Sequence, residues 1–464
     1  MKHSFINSFT RLFVLTVLLG GLSFANTVAA STWHAPSNLS AFTLFNLPTN
    51  SASVAVNNDG NGVAVWIDEN TGKVMYSLQK ADKWTTARTV YVPVVTKNET
   101  TESAHVALLP DGTAVAVFAS TTPGPLQYCA YGLRIVRCYG PNKSFTKIAT
   151  LVPGATSWTK ANLSAQGITV KDTQIGVDRD GNLTVSWLYK QQAGSPLALQ
   201  TATKAPAALW SAPLTLYSSA NPISLPALAV SKSGFANLVW QELNGGIYQI
   251  RSIFSENSLS GAWGAVEDVT NLTTGLWKIR AAIDGTGNTT LVWDENYNIQ
   301  SASRRCALTC SWTEQTLFMA PTDHTVMAFS PEIAADDQGD LLIAWGQVSA
   351  AGNTVEAQLN QLDGQVVLAS WPGNPAAQVS MSADGSLGVV GWVDDNDYSV
   401  HAANFTQVPG ANPIWQAQPD NVLGSALWGS EITLGTASGG RASALWLTNT
   451  PREFFYKYVG ASYF

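Results

Sequence analysis

Asp178-Arg179-Asp180-Gly181-Asn182-Leu183-Thr184-Val185-Ser186-Trp187 contains a turn and the strand that leaves it. Asp and Asn around a glycine mark a tight turn with a residue at positive φ. The apolar run behind the turn ends in a large aromatic, as in a largely buried strand. The phrase recurs in eight copies, ending at Trp66, Phe118, Trp187, Trp240, Trp293, Trp345, Trp392 and Trp446. Successive aromatics are 52, 69, 53, 53, 52, 47 and 54 residues apart. A period near 50 with several strands per unit predicts a radial array of small sheets. The expected fold is all-β: an eight-bladed β-propeller with four-stranded blades. Seven blades is the alternative, should the second or eighth copy be miscounted.

Each repeat reads as strands A to D. Strand A is a short run such as Ser53-Val54-Ala55-Val56, strand B ends in the aromatic, and strand C is exemplified by residues 73–77. A second aromatic marks strand D, at Trp84, Phe145, Trp210, Trp263, Trp312 and Trp415. The eighth copy has room for only one strand after Trp446. The phrase it lacks stands near the N-terminus, at Thr32-Trp33-His34-Ala35-Pro36-Ser37, and matches Leu209-Trp210-Ser211-Ala212-Pro213-Leu214. An N-terminal strand should therefore complete the last blade and remove an open sheet edge. The 69-residue spacing predicts an insertion, placed at residues 141–172.

Residues 1–30 read as an export signal. Lys2 and Arg11 precede or flank the apolar stretch Leu12–Phe24, and Val28-Ala29-Ala30 offers small residues for cleavage. The apolar stretch is shorter than the ~20 residues of a spanning helix. The expected organisation is a signal at 1–30 and one propeller domain at 31–464, without a transmembrane segment in the mature chain. The location is periplasmic or extracellular. In an oxidising compartment the four cysteines should pair locally, Cys129 with Cys138 and Cys306 with Cys310, each stapling a C–D hairpin. The net charge of −7 and the absence of a basic stripe exclude nucleic acid as the expected partner. A monomer is expected.

There is no His-Glu-x-x-His, phosphate loop or Gly-x-Ser-x-Gly, and the five histidines are scattered. No catalytic set, metal or cofactor is assigned, with a structural cation as the one option. Alignment on the turn glycine sorts the positions further. Five residues before it, every copy is small: Ala55, Ala107, Gly176, Ala229, Ala282, Ala334, Ser380 and Gly435. Innermost strands converge there, so this is a packing requirement. Seven residues before it stand Ser53, His105, Gln174, Ala227, Arg280, Glu332, Gln378 and Thr433. His105, Gln174, Arg280, Glu332 and Gln378 form a candidate axial ring at the channel mouth. It either binds a ligand or is a hydrated set of self-satisfied groups. Acidic residues recur in the B–C loops at Asp68, Glu69, Glu242, Asp294, Glu295, Asp394 and Asp395. They would hold a cation or attract a basic partner, or simply reflect the turn preference of Asp. Tyr189, Tyr248, Tyr297 and Tyr398 on the same face are candidates for stacking on sugars or for strand C packing.

Asp-x-x-Gly-Asn followed by an apolar strand ending in Trp, with Trp210-Ser211-Ala212-Pro213 later in the repeat, resembles exported bacterial β-propellers of the sialidase-like superfamily. The resemblance covers nearly the whole mature chain at the level of the repeat. Sialidases carry Asp-boxes, Ser-x-Asp-x-Gly-x-x-x-Trp, which Ser382-Ala383-Asp384-Gly385 and Ser231-Lys232-Ser233-Gly234 match in part. They also use three arginines and a Tyr/Glu pair, and Arg280 alone in the inner ring could serve. The resemblance therefore implies the fold and not the activity. The expected function is a non-catalytic binding protein that recognises a glycan or protein through its loop face and channel mouth. The alternatives are a glycan hydrolase or lyase using Glu332, His105 and Arg280, and a structural envelope-associated module.

Overall fold

The turn glycines adopt the backbone that their sequence context requires. Gly60, Gly112, Gly181, Gly234, Gly287, Gly339, Gly385 and Gly440 all have φ between 67° and 99°, a region that residues with a Cβ enter only at a cost. Three residues earlier, a short polar side chain gathers the turn amides. Asp178 Oδ1 accepts from the N–H of Asp180 and Asn182 at 2.9 and 2.8 Å, and Asp284 Oδ1 does so from Thr286 and Asn288 at 2.8 and 2.9 Å. Such Asx turns set strands A and B in antiparallel register.

The computed structural model describes residues 33, 37–43, 52–68, 71–80, 83–131, 134–305, 311–360, 366–373, 376–394, 396–408, 414–426, 432–449 and 456–463. In the first sheet, Ala52–Val56 pairs with Gly62–Asp68, which pairs with Lys73–Lys80. Its outer edge is shared by Lys83–Trp84 and Arg88–Tyr91. Among the described residues, seven four- or five-stranded sheets are each drawn from one stretch of chain, and helix is confined to two single 3-10 turns, Val95–Lys97 and Ser258–Ser260. The protein is an all-β propeller. A further sheet joins the chain ends: Thr433–Ala437, Arg441–Asn449 and Tyr456–Tyr463 are completed by Ser37–Thr43, antiparallel to Tyr456–Tyr463. Innermost strands pack side by side in chain order, and Thr433–Ala437 packs on both Gln378–Met381 and Ala52–Val56. Ser443 Oγ donates to Gln79 Oε1 at 2.7 Å, and the Ser438 N–H donates to Asn58 Oδ1 at 3.1 Å.

The strand B aromatics are all buried, and each packs into the sheet before its own. Phe118 lies with Val63, Val65 and Tyr76 of the first sheet. Trp240 lies with Leu188 and Leu199 of the third, and Trp446 with Val389 and Val400 of the seventh. Trp66 closes the series against Leu445 and Leu39. Nearer the axis the small residues let the strands touch. A Cβ on Gly176 would lie 2.4 Å from Val230 Cγ2, and one on Gly435 3.0 Å from the Val54 carbonyl oxygen.

Three expectations need correction. The long spacing is not an insertion at 141–172. Lys143–Leu151 pairs with Ala114–Thr122 as the third strand of its sheet, and Thr159–Asn162 is the fourth. The extra chain forms a hairpin, Leu126–Tyr131 with Arg134–Tyr139, between the second and third strands. Cys129 and Cys138 are bonded as expected, with Cα atoms 5.9 Å apart, but they staple this added hairpin rather than a C–D turn. Phe145 accordingly belongs to the third strand. Finally, Trp210 and Trp263 precede their fourth strands, Leu214–Ser219 and Glu267–Leu272, rather than lying in them. Cys306 and Cys310 lie outside the described residues, as do residues 1–30.

The sixth turn departs from its sisters. Asn182 and Asn288 each donate a side-chain N–H to the second oxygen of the turn Asp, Asp178 or Asp284, at 2.8 Å. The sixth copy has Asp340 in that place, and the buried Asp336 Oδ2 has no hydrogen-bond partner. Burial first, and Asp340 second, push the Asp336 carboxyl up to about 6. A carboxyl raised in the folded state favours folding most at low pH, and that contribution is lost as pH rises through 6. Asp340→Asn restores the sister geometry. It should raise the melting temperature at pH 7–8 by an amount corresponding to about 1 kcal/mol, with the gain vanishing below about pH 4. Scanning calorimetry across pH checks both limbs. Leu39, buried among Val54, Ala64, Trp66 and Leu445, tests ring closure. Leu39→Ala should cost about 2–4 kcal/mol in thermal or denaturant unfolding, and an unchanged midpoint would mean that the N-terminal strand contributes little.

Candidate functional site

Of the axial ring residues, Arg280 and Gln378 sit at the start of their innermost strands, whereas His105, Gln174 and Glu332 lie further along Thr100–Leu108, Thr169–Val177 and Val326–Ala335. These last three, and Ala227 at the equivalent position of the fourth copy, follow a recurrent β-bulge. The register slips between Glu102 and His105, Lys171 and Gln174, Ser224 and Ala227, and Phe329 and Glu332. In each bulge one residue with a Cβ takes left-handed φ: Ser103, Asp172, Leu225 and Ser330, at 53–54°. A bulge adds a residue to one strand and redirects the side chains that follow. Four copies of a strained conformation at one end of the channel mark that end as specified by more than packing.

The ring divides into bracing and clustered residues. Gln174 binds the third blade to the fourth: its Nε2 donates to the Pro226 carbonyl at 2.5 Å and its Oε1 accepts the Leu228 N–H at 2.6 Å. Ser53 accepts the Val106 N–H at 3.2 Å, and Thr433 donates to the Ala52 carbonyl at 3.3 Å. Arg280, Glu332 and Gln378 come together. Glu332, buried, receives Arg280 Nε at 3.1 Å on both oxygens, Gln378 Nε2 at 3.0 Å and Lys278 Nζ at 2.5 Å. Burial alone would raise the Glu332 carboxyl; Arg280 and Lys278 outweigh it and hold the group below its ordinary value. Arg280 keeps 43% of its side chain exposed. His105 faces this cluster from the second sheet. Desolvation, then the charge of Arg280, push it down to about 4, so it is neutral at pH 7.

The acidic loop residues serve mainly as braces. Glu242 is buried and accepts from Ser219 Oγ at 2.6 Å, Tyr217 Oη at 2.9 Å, Asn221 Nδ2 at 3.2 Å and Arg251 at 3.2 Å. Asp294 Oδ1 accepts the N–H of Trp277 and Lys278 at 3.2 and 3.0 Å, and its Oδ2 that of Ser330 at 3.3 Å. It therefore positions both flanks of the Arg280–Glu332 cluster. Glu295 accepts from Thr273 N and Oγ1 at 2.6 Å, and Asp68 accepts from Thr71 Oγ1 at 2.9 Å. Glu69 and Asp395 lie outside the described residues. Asp394, Asp397 and His401 bring donor atoms within 4.8 Å of one another, a spacing that could hold a cation. Ser399 already engages both Asp397 Oδ1 and His401 Nε2. Of the four tyrosines, Tyr189 is buried and donates to the Gln166 carbonyl at 3.0 Å, while Tyr297 and Tyr398 are over a third exposed.

Two features escaped the sequence. Trp277, in the loop before Ile279–Ile283, is 78% exposed beside Lys278. Its signal was that it belongs to neither Trp column of the repeat. At the opposite end of the channel, Arg179 Nη2 meets Asp337 Oδ2 at 2.8 Å. These residues stand three blades apart, so the pair crosses the axis. The neighbouring Lys232 is pushed down by burial, which Asp337 and Asp178 partly offset. The column two residues before the turn glycine, where Arg179, Lys232 and Asp337 all fall, would have revealed this group.

No family model and no curated protein matches the chain. Among solved structures, a PL25 ulvan lyase bound to a sulfated glucuronate–rhamnose ligand is 8% identical, covering 84% of this chain and 95% of that one, with a TM-score of 0.45. The polysaccharide lyase Uly1 is 10% identical over 89% of each chain, with a TM-score of 0.45. A Hadza microbial sialidase, Hz136, is 12% identical over 69% of this chain and 70% of that one, with a TM-score of 0.41. The chemistry of this chain has to be argued from its own residues.

A group whose folded pKa is depressed stabilises the fold above its unfolded value, and that contribution is lost as pH falls through the folded one. Glu332→Gln should cost about 3 kcal/mol at pH 7 by leaving Lys278 and Arg280 uncompensated. It should also flatten the fall in melting temperature below about pH 4.3. Thermal melts from pH 3 to 8 read both effects; an unchanged acid limb would show that Glu332 carries no such linkage.

Proposed function

We propose that the protein is an exported eight-bladed β-propeller of one domain, residues 31–464, that binds a glycan at its channel mouth, a site that is itself non-catalytic. The sheet that joins both chain ends is the eighth blade in this scheme, and residues 1–30 are the export signal. The disulfide Cys129–Cys138 agrees with an oxidising compartment. No helix among the described residues is long and apolar enough to cross a membrane.

The observation that carries the proposal is Trp277, 78% exposed beside the Lys278–Arg280–Glu332 cluster. An indole face held in water by a braced loop suits stacking against a sugar ring, since aromatic rings combine large apolar area with little conformational freedom. Arg280 offers unspent donors to hydroxyls or a carboxylate, and neutral His105 adds a donor and an acceptor. Catalysis by the same groups is disfavoured. A glycosidic acid catalyst needs a raised pKa, whereas Glu332 is held low.

Screening on an array of neutral and uronate-containing oligosaccharides, followed by calorimetric titration, tests the proposal. Trp277→Ala and Arg280→Ala should each weaken binding about tenfold or more, with Trp277→Ala leaving the melting temperature unchanged. Turnover of any array oligosaccharide that disappears in Glu332→Gln would overturn the non-catalytic assignment.

A further inference from the structure

At the mouth face of the seventh sheet, away from the axis, three side chains form a continuous proton path. Ser399 Oγ lies 2.5 Å from His401 Nε2, and His401 Nδ1 lies 2.7 Å from Asp420 Oδ2. Ser399 and His401 are two apart on the strand Ser399–Val408 and so share one face. Asp420 immediately precedes Asn421–Ser425, the strand that pairs alongside, with His401 opposite Val422. The imidazole is held flat: it stacks on Trp392 with centroids 5.2 Å apart and planes 9° apart, and Trp392 is itself stacked on Trp371. Ser399 Oγ donates to Asp397 Oδ1 at 2.5 Å and its N–H donates to the same oxygen at 2.8 Å, so the hydroxyl proton turns from Asp397 to His401 Nε2 before the serine can attack. His401 keeps 13% of its side chain exposed and Asp420 38%, and Ser399 is half-buried. Each of the three groups therefore keeps part of its surface in contact with solvent.

We propose that Ser399, His401 and Asp420 form a nucleophilic serine centre that cleaves short-chain O-acyl esters. Nucleophile next to base, and base oriented by a carboxylate, is the arrangement that activates an otherwise weak hydroxyl. The three residues match no local motif, and only the fold brings them together. Ser399 Oγ attacks the acyl carbon while its proton passes to His401 Nε2, forming the Oγ–C bond. Collapse of the tetrahedral adduct breaks the bond to the alcohol oxygen, which leaves with that proton. Water then attacks the acyl-serine by the same route, giving the carboxylic acid and restoring Ser399. Asp420 is a positioning residue: it holds the ring with Nε2 toward Ser399 and stabilises the imidazolium. Glycan binding at the axis is independent of this centre.

The test is covalent capture of the full mature chain by a fluorophosphonate–biotin probe, read by intact mass and peptide mapping, with p-nitrophenyl acetate hydrolysis as a second readout. The expected result is one adduct, on Ser399, absent in Ser399→Ala at unchanged melting temperature. His401→Gln should slow capture about 100-fold or more. Asp420→Asn should slow it about tenfold or more, and Asp420→Glu should recover part of the rate. No adduct, an adduct that persists in Ser399→Ala, or equal rates in His401→Gln would each overturn the proposal. So would capture abolished by EDTA and restored by zinc, since the same cluster would then be working through a metal.

Discussion

One buried aromatic per repeat, wedged into the sheet before its own, is the contact on which the rest of the molecule depends. Full burial of such a ring removes about 150–250 Å² from water, worth about 4–6 kcal/mol by area. No sheet here can bury its own aromatic. Each needs a predecessor, and the first needs a last. Trp66 finds that last sheet against Leu445 and Leu39, so the wedge series itself demands that the two chain ends meet. The small residues nearer the axis complete the geometry. Bulk on the outside and none on the inside turns a stack of sheets into a ring.

The same geometry gathers one equivalent position of each innermost strand around one opening. Polar groups there must satisfy each other or be paid for by desolvation. Gln174, Ser53 and Thr433 are spent bracing neighbours. Glu332 is buried and surrounded by cations and an amide, which makes it an organiser of the cluster rather than an acid. Arg280 and Trp277 retain reach into solvent. The acidic loop residues have an equally local purpose: Asp294 ties down the backbone on either side of that cluster.

Features set by backbone conformation or burial of one residue type were legible in the chain. The turn glycines, the strand B aromatics and the small inner residues follow from rules that act within one repeat, and the closing N-terminal strand was legible because it carries the phrase that the last repeat lacks. Features that depend on pairing between distant residues without such a repeated phrase were not. The bulges at Ser103, Asp172, Leu225 and Ser330 involve three different side-chain types, so no single residue type announces them. The hairpin stapled by Cys129 and Cys138 was misplaced because Phe145 imitates a strand D marker while pairing as the third strand. Ser399 and His401 meet Asp420 only because the outer strand Asn421–Ser425 pairs beside the strand that carries them both. Trp277 was visible as a Trp without a column, but its exposure was not.

The ion pair between Arg179 and Asp337 spans the far end of the axis. It joins turns that lie three repeats apart, so it ties the ring across its diameter as well as around its rim, and a shift of one blade is passed to a blade that is not its neighbour.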